Sequence, residues 1–222
     1  MHPRSWMALA ASAVLTVVVV AGCQARDDWS EPHTAPSAIG TLGQGFLPDT
    51  PPTPEATITP SPGSWDDIRP SKGYRVVLLT AGKDKSTKTL VRAVNSWADE
   101  QDVSLKTIKV TKPADHIPLI EKAIALSPDL IISAGNDLVD PLTLVTASHL
   151  DQKFLVVGAE LAEPTVNVTA ADWTGASYRG EGLGMSSTYD PASFTAERAG
   201  RAIRAGVAAV LSDLTGIVIW LD

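Results

Sequence analysis

Cysteine is almost absent from this chain of 222 residues, which contains only one, Cys23. A single cysteine excludes a disulfide within the chain, so the folded part must be stabilised by its core alone. Aromatic residues are also scarce, at 5% of the sequence, and the formal net charge is −7. Because this acidic balance comes without a polybasic run, we expect no nucleic-acid partner.

Motifs typical of catalysis and metal binding are missing as well. His33, His116 and His149 are scattered, without the cysteine partner or the i, i+4 spacing of a zinc site. Residues 175–180, GASYRG, miss the Gly-x-Ser-x-Gly pattern of hydrolases by one position, and residues 81–87, AGKDKST, lack P-loop spacing. We therefore expect no enzyme, no metal and no cofactor, with an enzyme on a flavodoxin-like scaffold as the remaining alternative.

The lone cysteine follows a mostly apolar run over residues 6–21, with Arg4 in front of it and Ala21 and Gly22 at its end. This run is shorter than the roughly 20 apolar residues that span a bilayer. A basic start, a short apolar core and small residues at its end are typical of a secretory signal peptide. An uncleaved signal anchor is the alternative.

The four residues VAGC, from Val20 to Cys23, resemble the lipobox of bacterial lipoproteins, although leucine is commoner than valine at the first position. In that class the cysteine thiol receives a diacylglyceryl group, and the chain is cleaved just before the cysteine. The resemblance implies that residues 1–22 are a signal peptide and that Cys23 is the lipidation site, carrying fatty acids such as palmitate. It also implies that the mature protein is anchored on the extracytoplasmic face of the cell membrane. Two or more acyl chains anchor stably where one binds only marginally.

Proline is concentrated after the cysteine, since residues 24–72 hold nine of the sixteen prolines and show no hydrophobic period. Such a composition does not bury enough apolar surface to offset the entropy of chain ordering. We therefore predict that residues 23–72 are a lipid-anchored, Pro-rich, disordered spacer. A docking motif around PPTP at 51–54 is the alternative.

Strand and helix patterns alternate over residues 73–222. The predicted strands are YRVVLLTAG, VSLKTIKV, PDLIISAGN, KFLVVGAE, TVNVTA and GIVIWLD, and the helices between them are amphipathic or rich in alanine. This alternation predicts right-handed crossovers and a parallel sheet covered by helices on both faces. We expect a single α/β lobe, a doubly wound sheet of flavodoxin-like order 2-1-3-4-5 with GIVIWLD as a sixth strand.

In such a sheet, ligands bind outside the carboxyl ends of the strands, where the strand order reverses. The loop after the first strand carries Lys83, Asp84 and Ser86 in front of a helix, and a helix amino terminus suits a negatively polarised group. These residues are our first candidates for ligand binding. Solvated charges with a helix cap from Ser86 or Thr87 are the structural alternative.

The loop after the third strand carries Gly135, Asn136 and Asp137, whose side chains suit a ligand hydroxyl or amine. The same residue types are ordinary in turns and helix caps, which is the structural alternative. Glu160, after the fourth strand, is the last candidate.

The segments RVVLLTAG, PDLIISAGNDLVDPLTLVTASHLDQKFLVVGAE, VNVTAADWTGASYRGEG and AERAGRAIRAGVAAVLSDLTGIVIWLD resemble, in this order, the first lobe of type I periplasmic binding proteins. The likeness is closest to the basic membrane protein group, the lipoprotein receptors of nucleoside importers. Members of that group usually offer an aspartate and an aromatic ring in the first loop. Here Asp84 matches the acid loosely, and Lys85, Ser86 and Thr87 stand where the ring is expected.

The resemblance implies a membrane-anchored, solute-binding lipoprotein that binds a small polar solute for an ABC permease. Family members close two lobes over the ligand, whereas only about forty residues follow the first lobe here. A single lobe is therefore expected, with a homodimer as one way to supply the second. A surface lipoprotein that keeps the fold for contact with protein or cell wall is the alternative function.

Overall fold

The structure is a computed structural model that describes residues 29–33 and 36–222. Cys23 and the predicted signal peptide lie outside the described residues. The strands are β1 (Ala38–Ile39), β2 (Thr57–Ile58), β3 (Arg69–Pro70), β4 (Arg75–Thr80), β5 (Ser104–Lys109), β6 (Leu130–Ala134), β7 (Phe154–Val157), β8 (Val168–Asp172) and β9 (Val218–Trp220). The helices are α1 (Lys85–Glu100), α2 (His116–Ile124), α3 (Val139–Thr146) and α4 (Ala196–Leu211).

Seven of the strands form one parallel sheet in the order β2-β9-β8-β7-β6-β4-β5. The strands β4 to β8 follow the predicted order 2-1-3-4-5, and β9 is the predicted sixth strand. Strand β4 is buried along its whole length, whereas β5 at the sheet edge is only half-buried. The doubly wound α/β prediction is confirmed.

Helices cover both faces of the sheet, with α1 and α4 on one face and α2 and α3 on the other. Since successive strand side chains point to opposite faces, Val76 and Leu78 of β4 pack under α1 and α4. Val77 and Leu79 pack under α2 and α3 instead. Each fully buried aliphatic side chain contributes about 1.5–3 kcal/mol relative to exposure, so these two layers supply most of the stability.

The remaining strand of the sheet, β2, lies at the edge opposite β5. It comes from the predicted spacer and pairs in parallel with β9. The expectation of disorder over residues 23–72 is wrong for residues 36–72, which pack on the α1 and α4 side of the sheet. Phe46, Ile58 and Trp65 are 1%, 5% and 3% exposed within that core layer. Strands β1 and β3 pair with each other as a short antiparallel ribbon.

The packing of residues 36–72 has two physical causes that a search for periodicity overlooks. First, long-range backbone hydrogen bonds hold it: Gly43 N–H donates to Ser64 O within the segment at 2.7 Å, and Glu55 N–H donates to Gly216 O of the lobe at 2.7 Å. Second, the prolines restrict the unfolded chain, so ordering this segment costs less entropy than its irregular path suggests. Isolated apolar side chains are then enough to hold the segment in place.

Across residues 29–33 and 36–222, no helix combines the length and the apolar character needed to cross a bilayer.

Candidate functional site

A crevice of about 280 Å³ opens at the carboxyl edge of the sheet, at the ends of β4 and β6. The chain leaves β4 towards α1 on one face and leaves β6 towards α3 on the other, so the two connections diverge there. This is the predicted reversal of strand order. The lining residues are Asp84, Ser86, Thr87, Gly135, Asn136, Asp137, Gly158, Ala176, Tyr178, Tyr189 and Phe194.

Asp84 is the amino-terminal cap of α1. Its Oδ1 accepts a hydrogen bond from the Thr87 backbone N–H at 2.9 Å, and its Oδ2 accepts one from Thr87 Oγ1 at 2.6 Å. Partial burial by itself raises the pKa of Asp84, but the hydrogen bonds from Thr87 outweigh it and lower the pKa on balance. The cap is therefore Asp84, not the expected Ser86 or Thr87, and its carboxylate already neutralises the amino terminus of α1.

Ser86 is buried at the crevice wall, 6% exposed, and its Oγ lies 3.2 Å from Tyr189 Oη. Tyr189 is itself 46% exposed, and its ring centroid lies 5.9 Å from that of Phe194. A hydroxyl pair and two aromatic faces therefore line the same side of the crevice.

Gly135, Asn136 and Asp137 also line the crevice, directly after β6. Gly135 has φ +89°, and a side chain there would press on Thr87 Oγ1 at 3.1 Å, so glycine lets the two loops approach each other. Asn136 is half-buried and Asp137 is exposed. Among the described residues, neither of these two side chains has a hydrogen-bond or ion-pair partner. They do not cap α3, whose N-cap is Leu138 without a side-chain hydrogen bond.

Lys83 and Glu160, the two other sequence candidates, do not line the crevice. Lys83 is exposed to solvent. Glu160 is 5% exposed, and its Oε1 lies 3.1 Å from Arg179 Nε. Burial raises the pKa of Glu160, while Arg179 and a hydrogen bond from Ser186 oppose that rise. Glu160 thus belongs to an ion pair in which the carboxylate is buried and the Arg179 guanidinium is partly exposed.

Asp172, the last residue of β8, lies near this pair and is fully buried. Neither carboxylate oxygen has a hydrogen-bond partner in the described part of the chain. Burial raises the pKa of Asp172 to about 8; the charge of Glu160 adds to the rise, and the backbone amide of Trp173 opposes it in part. Asp172 therefore holds a proton at neutral pH.

The sequence analysis missed the aromatic residues of the crevice, Tyr178, Tyr189 and Phe194. Tyr178 Oη donates a hydrogen bond to Asp140 Oδ2 at 2.8 Å, and burial, together with this bond and the charge of Asp140, raises its pKa to about 12. All three follow β8, whose carboxyl end lies at the same sheet edge. Examining the connection after the fifth strand, as was done for the first four, would have found them.

The arrangement suits a small ligand with hydrogen-bond donors and an apolar face. Asp137 and Asn136 offer acceptors, and the rings of Tyr189 and Phe194 offer apolar surface. The expectation that Lys83 and the α1 amino terminus favour a negatively polarised group stays a prediction, and the geometry of the crevice gives it no support. Lys83 lies outside the crevice, and Asp84 occupies the helix terminus. Groups of histidine, cysteine, aspartate or glutamate with metal-site geometry are not found in the described ranges.

Neither a known protein family nor a curated protein matches the sequence of this chain. Solved structures match its fold, among them an ABC transporter solute-binding protein from Aeropyrum pernix K1, at 20% identity and TM-score 0.42. A fragment of a proposed lipoprotein from Peptoclostridium difficile 630 matches at 15% identity and TM-score 0.46. A periplasmic ribose ABC transporter protein from Conexibacter woesei DSM 14684 matches at 17% identity and TM-score 0.39.

These alignments cover 46%, 63% and 68% of this chain, respectively. They cover 29% of the Aeropyrum protein, 98% of the Peptoclostridium fragment and 55% of the Conexibacter protein. The chain thus spans well under two thirds of the two transport proteins. At these identities and TM-scores the likeness assigns no family and no role to this chain, and membership of the basic membrane protein group stays a prediction.

Proposed function

We propose that this protein is a lipoprotein, anchored through Cys23 on the extracytoplasmic face of the membrane, that binds a small polar solute in the crevice. One observation carries the binding proposal. Asn136 and Asp137 have no hydrogen-bond or ion-pair partner within the described residues, yet together with aromatic rings they line a crevice at the reversal of strand order. Polar groups that the fold itself does not use, placed where doubly wound sheets hold their ligands, favour a binding role.

The crevice chemistry favours an uncharged or cationic solute over an anion. Asp84 and Asp137 are both acidic and both line the crevice, so an anion would be repelled from two sides. A solute with hydroxyl or amine donors and a flat apolar face fits the acceptors and rings. Because one lobe leaves the solute partly in water, we expect a Kd between micromolar and millimolar, about −8 to −4 kcal/mol.

Titration of the full-length protein in detergent with sugars, nucleosides and amino acids tests this proposal. A ligand that binds only the folded protein raises its melting temperature, and NMR shifts locate the site. We expect shifts to cluster around Asn136 and Asp137. Shifts at the opposite edge of the sheet, or none with any of the three solute classes, would contradict the proposal.

The anchor has its own test, because lipidation requires the thiol of Cys23. Cys23→Ser should leave an unprocessed precursor or release the protein into the medium, and metabolic labelling with palmitate should no longer mark it. A Cys23→Ser protein that is still labelled and processed normally would contradict the anchor.

A protein partner is the second candidate function, and exposed apolar side chains in the connection after β8 favour it. Leu183, Met185 and Tyr189 are 53%, 57% and 46% exposed, close together in the chain after β8. Such a partner would be an ABC permease or a second copy of the chain that covers the crevice. If the partner is a second copy, the full-length protein should sediment as a dimer, and Leu183→Ser with Met185→Ser should return it to a monomer.

A further inference from the structure

The first described residues, 29–33, are attached to the amino edge of the sheet, opposite the crevice. Trp29 Nε1 donates a hydrogen bond to the hydroxyl of Ser104, the first residue of β5, at 2.8 Å. The Trp29 ring centroid lies 4.4 Å from Lys106 Nζ and 5.6 Å from the guanidinium carbon of Arg75. A ring between two cations is held by cation–π attraction as well as by packing.

The other end of this segment is attached at the same edge. His33 Nε2 lies 3.0 Å from a carboxylate oxygen of Asp129, which also accepts a hydrogen bond from the Arg75 backbone N–H at 2.7 Å. The guanidinium of Arg75 donates to the Glu31 backbone oxygen at 3.0 Å. Arg75 begins β4 and Asp129 immediately precedes β6, so residues 29–33 are held against the amino ends of the central strands.

The chain between the proposed lipid site and this attachment is short. Five residues, 24–28, lie between Cys23 and Trp29, and the six Cα–Cα steps from one to the other reach at most about 22 Å when the chain is fully extended. Residues 36–72, which were expected to act as a spacer, come after the attachment and pack on the lobe. They therefore add nothing to the reach of the anchor.

We propose that the lipidated protein lies with the amino edge of its sheet against the bilayer and its crevice facing away from it. This orientation rests on the proposed lipidation of Cys23. Strand β4 has six residues and crosses the lobe from one edge to the other, which separates the two edges by about 20 Å before loops are added. The lipid surface is thus the partner of the amino edge, and the crevice is open to solutes on the side away from the membrane.

The short chain of residues 24–28 between Cys23 and Trp29, called the tether below, sets this orientation, and charge does not. Charges of both signs flank the amino edge: Asp151 and Lys72 are exposed, and Lys153 Nζ lies 2.6 Å from Asp213 Oδ1, so opposite charges offset each other in the attraction to anionic lipid. The orientation should consequently be the same on zwitterionic and on anionic vesicles, and it should disappear when the tether is lengthened.

Spin labels at the two ends of β4 test the proposal on the full-length lipidated protein in phosphatidylcholine vesicles doped with a nickel-chelating lipid. Lys72→Cys and Lys83→Cys are a matched pair, since both lysines are exposed and stand just before and just after β4. The lipidated thiol of Cys23 does not react, so each variant carries one label. We expect nickel to relax the label at 72 several-fold more strongly than the label at 83. Equal relaxation, or stronger relaxation at 83, would overturn the orientation.

A tether control uses a flexible Gly/Ser insert of about twenty residues between Ala25 and Arg26, which adds a mean reach of about 25 Å. The insert should bring the two labels to similar relaxation; a difference that persists unchanged would overturn the role of the tether. Vesicle sedimentation separates this proposal from the anchor on which it rests. Protein that fails to sediment overturns the anchor and the orientation together, whereas sedimented protein with equally relaxed labels overturns the orientation alone.

Discussion

The two edges of the sheet differ in whether particular polar side chains have hydrogen-bond or ion-pair partners. At the amino edge, Asp129 is paired with His33 and with the Arg75 backbone, and Trp29 covers the start of β5. At the carboxyl edge, Asn136 and Asp137 have no partner among the described residues. Both edges are built from the same kind of connection between strand and helix.

This difference separates the polar side chains that stabilise the fold from those that the fold does not use. A paired carboxylate stabilises the folded chain, whereas an unpaired one contributes no contact and remains available to a ligand. Asp172 is the extreme case on the open side, because it is both unpaired and fully buried. The paired Asp129 and the unpaired, buried Asp172 should therefore respond in opposite directions to the same substitution.

The largest effect is expected at Asp172, whose pKa is raised from 3.8 to about 8 in the folded protein, chiefly by burial. Between these two values the folded protein holds a proton that the unfolded chain has lost, so this carboxyl group lowers stability as pH rises. Asp172→Asn should remove that loss and stabilise the protein at pH 8, relative to wild type, by on the order of a few kcal/mol. Urea unfolding at pH 5 and pH 8 measures the free energy of unfolding of both proteins. If that free energy changes equally with pH in Asp172→Asn and in wild type, the burial argument is contradicted.

The same substitution at the amino edge should have the opposite sign. Asp129→Asn removes the charge that His33 and the Arg75 N–H contact, and hydrogen bonds to charged groups contribute about 1.5–3 kcal/mol. We expect a loss of about 2 kcal/mol in the free energy of unfolding at neutral pH. Urea unfolding of Asp129→Asn beside Asp172→Asn gives the comparison directly, and two changes of the same sign would refute it.

Trp29→Ala should lower stability by about 1–2 kcal/mol, because it removes one hydrogen bond and the cation–π contact with Lys106. Trp29→Phe is the matched control, since it keeps a ring over Lys106 but loses the N–H that Ser104 accepts. The free energy of unfolding of Trp29→Phe should lie between those of wild type and Trp29→Ala. Hydrogen exchange should report faster opening at the start of β5 in the alanine variant. Unchanged exchange there would mean that residues 29–33 are not attached as described.

The smallest effect on stability, but a clear one on binding, is expected at Asp137. Asp137→Asn should leave the melting temperature within experimental error, because the carboxylate has no hydrogen-bond or ion-pair partner in the described part of the protein. Affinity for the solute should fall about tenfold, or 1.4 kcal/mol. Asp151→Asn, an exposed carboxylate at the amino edge, is the matched control and should bind like wild type. Equal affinity of the two variants would remove Asp137 from the site.

Asp84 differs from Asp137, although the sequence placed them in equivalent positions. Because Asp84 caps α1, its replacement by alanine should cost about 1 kcal/mol of stability whether or not it contacts the solute. A double change of Asp84 and Asp137 to alanine therefore mixes a stability effect with a binding effect. The single change at Asp137 is the cleaner test.

The central part of the fold was predictable from local patterns. Strands β4 and β6 are covered on both faces, so they appear in the sequence as continuous apolar runs, RVVLLT and LIISA. Helix α1 has a buried stripe that includes Leu90, Val94 and Trp97 at helical spacing. The order 2-1-3-4-5 was expected as one of the common orders of a doubly wound sheet, and the position of the crevice followed from that order.

The irregular parts were not predictable in the same way. Phe46 and Trp65 stand alone among prolines, and their burial depends on α1 and α4, which follow later in the chain. Tyr189 and Phe194 reach the crevice only because the connection after β8 folds back over its own sheet edge. No local period marks such residues, since neither stretch is a regular helix or strand.

Local patterning was thus enough for the elements whose side chains repeat with the period of the backbone, because a repeating apolar face specifies both the element and the side it buries. The pairing of polar groups depended on contacts between residues far apart in the chain. His33 and Asp129 are 96 residues apart, and Ser86 and Tyr189 are 103 residues apart. Whether a carboxylate acts as a cap, a pair, a buried acid or an open acceptor depends on the neighbours that folding brings to it. Asp84, Asp129, Asp172 and Asp137 are the same residue type in the sequence and have four different roles in the folded protein.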